Sequence, residues 1–176
     1  MRTLALLFAL TLCANAASWR DTFEARLALF GHRNWIVIAD SAYPLQSGPG
    51  IETILSNESQ IDTVRHVLRV LSNDKRVRPV VYLDNELSYV PEADAPGVGA
   101  YRQLLSGIFD KLLIAGQKPQ TIPHEEIISM LDKAGRTFNV LIIKTNMTLP
   151  YTSVFLELRA AYWGDAEEQR MRQSIK

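Results

Sequence analysis

Trp35-Ile36-Val37-Ile38-Ala39 runs five residues with no polar alternation, and this run constrains the fold more than any other segment. A strand with one face in water alternates apolar and polar side chains. An unbroken apolar run implies burial on both faces, as in the central strand of an α/β sheet covered by helices. Gly31-His32-Arg33-Asn34 precedes the run and Asp40-Ser41 follows it. An imidazole and a carboxylate therefore bound one buried strand. In open α/β sheets ligands bind beyond the carboxyl ends of strands, where Asp40 lies, as does Asp84 after the second apolar run Pro79–Leu83.

Apolar runs and helical periods alternate along the rest of the chain. Residues 20–30 place Phe23, Leu27 and Phe30 on one helical face, with Gly31 as the stop. Residues 44–50, from Pro44 to Gly50, read as a turn-rich loop. Residues 60–72 return to helix through Ile61, Val64, Val67, Leu68 and Leu71. A strand is expected over 79–83, a loop over 91–97 and a helix around 99–113. A short strand over 119–122 precedes a helix over 123–134, with Glu125 and Glu126 in its first turn and Gly135 at its end. Residues 139–144 and 153–159 are the last strands. Four or five strands interleaved with helices give an α/β domain.

Residues 1–16 read as an export signal: Arg2 is the charged region, Leu4–Leu12 the apolar one, and Ala14-Asn15-Ala16 the cleavage site. The apolar stretch falls short of the about 20 residues that span a bilayer. Cys13 offers a lipoprotein alternative, but Leu12 is large where such signals take a small residue. Cleavage after Ala16 leaves a domain over 17–164 and a helical tail over 165–176, periplasmic or secreted, with no membrane attachment. It also removes the single cysteine, and with it any disulfide or thiolate chemistry. The 19 basic and 19 acidic residues balance, which argues against a nucleic-acid partner.

His66 lies opposite the apolar stripe of its helix and reads as solvated. His32 has two readings: a cation capping the preceding helix, or a pocket group. His124 follows Pro123 at a helix start, where the dipole disfavours the imidazolium. It is then either a neutral base or acceptor, or an exposed first-turn residue. Asp40 either shapes its own turn or faces a site, and Tyr151 and Ser153 are loop and strand-start polar groups or ligand contacts. Glu157 and Arg159 alternate with Val154, Leu156 and Leu158 and read most simply as the solvated face of a strand; if the sheet is covered on both sides they pair or point at a ligand, and pairing is the expected outcome. There is no Gly-x-Ser-x-Gly elbow, Walker loop, Gly-x-Gly-x-x-Gly or His-Glu-x-x-His. His124-Glu125-Glu126 lacks a second histidine at helical spacing, so no metal and no cofactor is expected.

Four motifs in order carry a resemblance. Gly31-His32 with Val37-Ile38-Ala39-Asp40-Ser41 and Pro44 resembles the opening signature of the RbsD/FucU family, the ribose pyranase and fucose mutarotase group. Asp84-Asn85-Glu86-Leu87 is similar to its strand-end Asn-Glu, Thr121-Ile122-Pro123-His124-Glu125-Glu126 to its Thr-His-Glu helix start, and Pro150-Tyr151-Thr152-Ser153 to its Tyr-x-Asn. The match spans roughly 22–160. It implies an RbsD-like three-layer α/β fold, with a central, mostly parallel sheet flanked by helices. It also implies homo-oligomeric rings with monosaccharide pockets near subunit contacts. By the resemblance His32, Asp40, His124 and Tyr151 are catalytic, with His32 oriented by Asp40, and Ser153 and Glu86 contact substrate. Ser153 replaces the family's usual Asn and Asn34 a common Asp. The implied activity is acid–base interconversion of anomers or ring forms of a reducing sugar. The alternatives are an exported sugar- or small-ligand-binding protein on the same scaffold, or an interaction role for the tail.

Overall fold

The computed structural model describes residues 17–114 and 117–175; the export-signal reading of residues 1–16 lies outside them. Helix α1 (Trp19–Leu29) opens with a reciprocal cap, in which Ser18 Oγ accepts from the Asp21 amide and Asp21 accepts from the Ser18 amide. The strands are β1 (Trp35–Ala39), β2 (Ile51–Leu55), β3 (Val77–Asp84), β4 (Gln120–Ile122), β5 (Val140–Lys144) and β6 (Val154–Ala160). Between and after them lie α2 (Gln60–Asn73), α3 (Val98–Leu112), α4 (His124–Ala134) and α5 (Asp165–Ser174), with a 3-10 turn at Asn85–Tyr89. The strand order is β2-β5-β1-β6-β3-β4. Only β6 runs antiparallel to its neighbours, β1 and β3; the β1–β5, β2–β5 and β3–β4 pairs are parallel.

Alternation along the central strands divides the core into two layers. Ile36 and Ile38 point with Leu141, Ile143, Leu156 and Leu158 toward α1, α2 and α3. Trp35, Val37 and Ala39 point the other way, with Val140, Ile142 and Phe155, toward Ile127 and Leu131 of α4. All five residues of β1 are buried, which is why that strand carries no polar alternation. Helices thus cover both faces of a mostly parallel sheet, although α4 leaves the β3–β6 part of its face open near the amino end of β1. There Arg159 pairs with Glu157 at 3.0 Å.

Strand β2 lies between the loop over 44–50 and the helix over 60–72, in a stretch to which the sequence reading assigns no element. It is an edge strand, none of whose residues is fully buried. Two features dock it. A Cβ on Gly50 would stand 2.3 Å from the Phe138 carbonyl oxygen, so only glycine lets the loop close on the α4–β5 connection. Beyond it, the Glu52 carboxylate takes two hydrogen bonds from Arg26 of α1, at 2.5 and 2.9 Å.

Candidate active site

Parallel pairing of β3 with β4 sets Leu83 against Thr121 and Asp84 against Ile122. Two residues after Ile122, α4 begins at His124, so the pairing delivers the imidazole to the carboxyl end of β3. His124 Nδ1 lies 3.0 Å from Oδ1 of Asp84. The Asp84 side chain is 1 % exposed and that of His124 33 %. With Asp84 ionised, Nδ1 carries the proton it donates, and Nε2 is left as an acceptor toward the open side. Oδ2 of Asp84 is buried and has no hydrogen-bond partner among the described residues.

Burial pushes the Asp84 carboxyl up to about 6; His124 pulls it down, and the charges of Glu86 and Asp40 add to the rise. Glu86, read from the sequence as a substrate contact, caps α4: its two carboxylate oxygens accept from the His124 amide at 3.2 and 3.1 Å. A carboxylate at a helix N-terminus also complements the helix dipole. Glu86 therefore fixes where His124 starts.

Asp40 and Ser153 meet across the β1–β6 pair. Ser153 Oγ donates to Oδ2 of Asp40 at 3.1 Å, while Oδ1 of Asp40 accepts from the Ala42 amide at 2.9 Å. Asp40 thus both shapes its turn and holds Ser153, which is buried at 2 % exposure. Behind them the fully buried amide of Gln60 donates to the Ile38 and Thr152 carbonyls, both at 2.9 Å, and accepts from Thr145 Oγ. Tyr101 Oη donates to the same Thr152 carbonyl at 2.6 Å. This network ties the end of β1 to the start of β6.

Tyr151 precedes that anchor with φ of 56°, a left-handed conformation that costs a bulky residue energy. Its ring stands edge-on to His124, with centroids 5.7 Å apart, and is 41 % exposed. A phenol, an imidazole and carboxylates are therefore gathered at one end of the sheet. Among the described residues no group of three or more His, Cys, Asp or Glu is placed to hold a metal ion.

His32 is not brought to this cluster. It precedes β1 and Asp40 follows it. Five strand residues rising about 3.3 Å each hold the two ends more than about 15 Å apart within one chain. His32 is exposed and instead lines a cavity with Arg33, Arg78 and Trp163. The orienting carboxylate in this chain is Asp84, acting on His124. Asp84 is visible in the sequence as a polar strand end, but its partner is fixed only by the β3–β4 register.

The model of a family described as the RbsD / FucU transport protein family matches residues 21–159. Among curated proteins none matches. Three solved structures are similar. Bacillus subtilis RbsD complexed with D-ribose is 20 % identical, with a TM-score of 0.52, over 81 % of this chain and 95 % of that one. The fucose mutarotase in complex with L-fucose from Streptococcus pneumoniae is 20 % identical, with a TM-score of 0.50, over 77 % and 89 %. FucU from Bifidobacterium longum is 15 % identical, with a TM-score of 0.50, over 77 % and 91 %. At these identities the likeness shows the fold.

Proposed function

The chain belongs to the RbsD/FucU transport protein family, and from that premise we propose that it is a monosaccharide mutarotase or pyranase, interconverting anomers or ring forms of a reducing sugar by acid–base catalysis. The observation that carries this reading is the 3.0 Å contact of His124 Nδ1 with buried Asp84, which leaves Nε2 free beside Tyr151. The sugar complexes of the two similar structures support a monosaccharide as ligand.

Nε2 of His124 takes the proton of the anomeric hydroxyl as the bond from the anomeric carbon to the ring oxygen breaks. A second group returns a proton to the ring oxygen, giving the open-chain carbonyl form. Rotation and reclosure by the reverse steps yield the other anomer or ring size. Each positioned acid or base contributes roughly 10² to 10⁴-fold. Tyr151 is the acid available in this chain, and the half-buried Asp40 carboxylate accepts sugar hydroxyls, while buried Asp84 acts only through His124. No metal or redox cofactor enters this scheme.

His32 joins the site only from a second copy of the chain. A head-to-tail association sets the amino end of one sheet against the carboxyl end of the next, and such heterologous contacts close into rings. The charged, apolar and small-residue order of residues 1–16 supports the further proposal that the protein is exported, to the periplasm or outside the cell.

A non-catalytic sugar-binding protein is the second reading. It is favoured by Ser153, a hydroxyl already spent on Asp40 where the family resemblance has an amide. Saturation-transfer NMR against D-ribose, L-fucose and other monosaccharides separates the two. Catalysis requires protein-dependent anomer exchange that His124→Asn removes. Binding without faster exchange overturns the enzymatic reading.

A further inference from the structure

The open part of the α4 face holds a cavity of about 490 Å³ at the amino end of β1, within the size range of small-molecule sites. Its lining includes His32, Arg33, Arg78, Glu157, Arg159 and Trp163. The register of β3 against β6 sets Arg78 directly opposite Arg159. Two like charges at such a position repel unless an anion lies between or beside them. Arg159 is satisfied, since its guanidinium contacts Glu157 at 3.0 Å, and Glu157 also accepts from Tyr82 Oη.

Arg78 has no such partner among the described residues. Among the described residues no carboxylate lies within salt-bridge distance of it, and its Nε is buried with no hydrogen-bond partner. Removing a guanidinium N–H from water without an acceptor is unfavourable. Arg33 also lacks a carboxylate among the described residues; it is held at φ of 71° with its guanidinium 5.7 Å from the Phe138 ring centroid. The remaining wall comes from the segment after β6, beyond residues 21–159 that carry the family match. Trp163, 44 % exposed, is pinned there by a 2.8 Å hydrogen bond from Nε1 to Glu168.

We propose that this cavity binds a monosaccharide-sized molecule carrying an oxyanion, a carboxylate or a phosphate. Arg78 and Arg33 take the anion and Trp163 packs against the ring. Arg78 supplies the planar fork that suits either oxyanion, and an indole face suits the apolar side of a sugar ring. The assignment rests on Arg78, Arg33 and Trp163 of the single chain; His32, which the proposed ring gives to the neighbouring copy, has no part in it.

Calorimetric titration with D-glucuronate, D-glucose 6-phosphate, inorganic phosphate and D-glucose tests it, at low and physiological ionic strength. Glucuronate or glucose 6-phosphate should bind at least about tenfold tighter than glucose, and more weakly as salt rises. The better of the two identifies the oxyanion. Arg78→Gln should lose about tenfold or more of that affinity, Arg78→Lys should recover part of it, and exposed Lys75→Gln should change nothing. Trp163→Ala should weaken glucose 6-phosphate and leave inorganic phosphate unaffected. Equal affinity for glucose and the two sugar anions, no binding by any anion, or an Arg78→Gln protein that folds and binds like the parent would each overturn the assignment. Anomer exchange of neutral sugars is a separate readout, so this proposal and the mutarotase reading can fail independently.

Discussion

His124 Nδ1 rests 3.0 Å from Oδ1 of Asp84, a carboxyl that is 1 % exposed. An imidazole held this way has one tautomer as long as the carboxylate is ionised, and the free nitrogen is the one that can accept a proton. Asp84→Asn keeps the shape and removes the charge. The amide can turn its NH₂ toward Nδ1 and leave the proton on Nε2, the wrong nitrogen for a base. Anomer exchange should fall by roughly 10²-fold or more, while sugar affinity should change little. Exchange rates from magnetisation-transfer NMR on the variant check this; an unchanged rate would remove Asp84 from the mechanism.

The same carboxyl sets a pH dependence. In the unfolded chain it titrates near 3.8, and in the folded protein burial holds it at about 6. Between these values the folded state binds more protons than the unfolded one, so stability falls as pH rises through this window. The loss is at most about 3 kcal/mol. Asp84→Asn should flatten that decline and be more stable than the parent at pH 7, which urea unfolding at several pH values reads directly. Activity should move the opposite way, dropping as the Asp84 carboxylate takes up its proton at about 6.

Gln60 is fully buried in α2 and holds the carbonyls of Ile38 and Thr152, at the end of β1 and the approach to β6. Gln60→Leu leaves both carbonyls with fewer donors, and Thr145 Oγ loses an acceptor but keeps the Ala39 carbonyl. The expected loss is about 2–4 kcal/mol in chemical denaturation. Because the network also positions Asp40 beside Ser153, exchange should weaken even where the variant remains folded.

Why some of this was readable from the sequence and some was not follows from how far each signal reaches. β1 declares itself because both its faces are buried, so every side chain reports the same environment. β2 has Glu52 and Thr53 in its middle and lies at the edge, where half-burial leaves a weak pattern; its partner β5 lies far along the chain. His124 was visible as a histidine at a helix start. Asp84 as its partner was not, because only the β3–β4 register brings the two together. The pairing of His32 with Asp40 treated the two ends of one strand as neighbours, whereas an extended backbone separates what it connects.

That separation gives the last prediction. If His32 of one copy serves the cluster of its neighbour, the site spans two chains, and two different defects can repair each other. His32→Ala and Asp40→Asn should each be inactive alone. Co-expressed in equal amounts, they should regain activity, because about a quarter of head-to-tail contacts then pair an intact His32 with an intact Asp40. Exchange near a quarter of the parent rate, in a fraction that elutes as an oligomer, supports the shared site. A double variant carrying both changes in one chain must stay inactive when mixed with either single one, since no contact then gains a new intact pair. Activity that never rises above the single variants would overturn the shared site, and a His32→Ala protein that keeps the parent rate would leave His124, Asp84 and Tyr151 to carry the reaction within one chain.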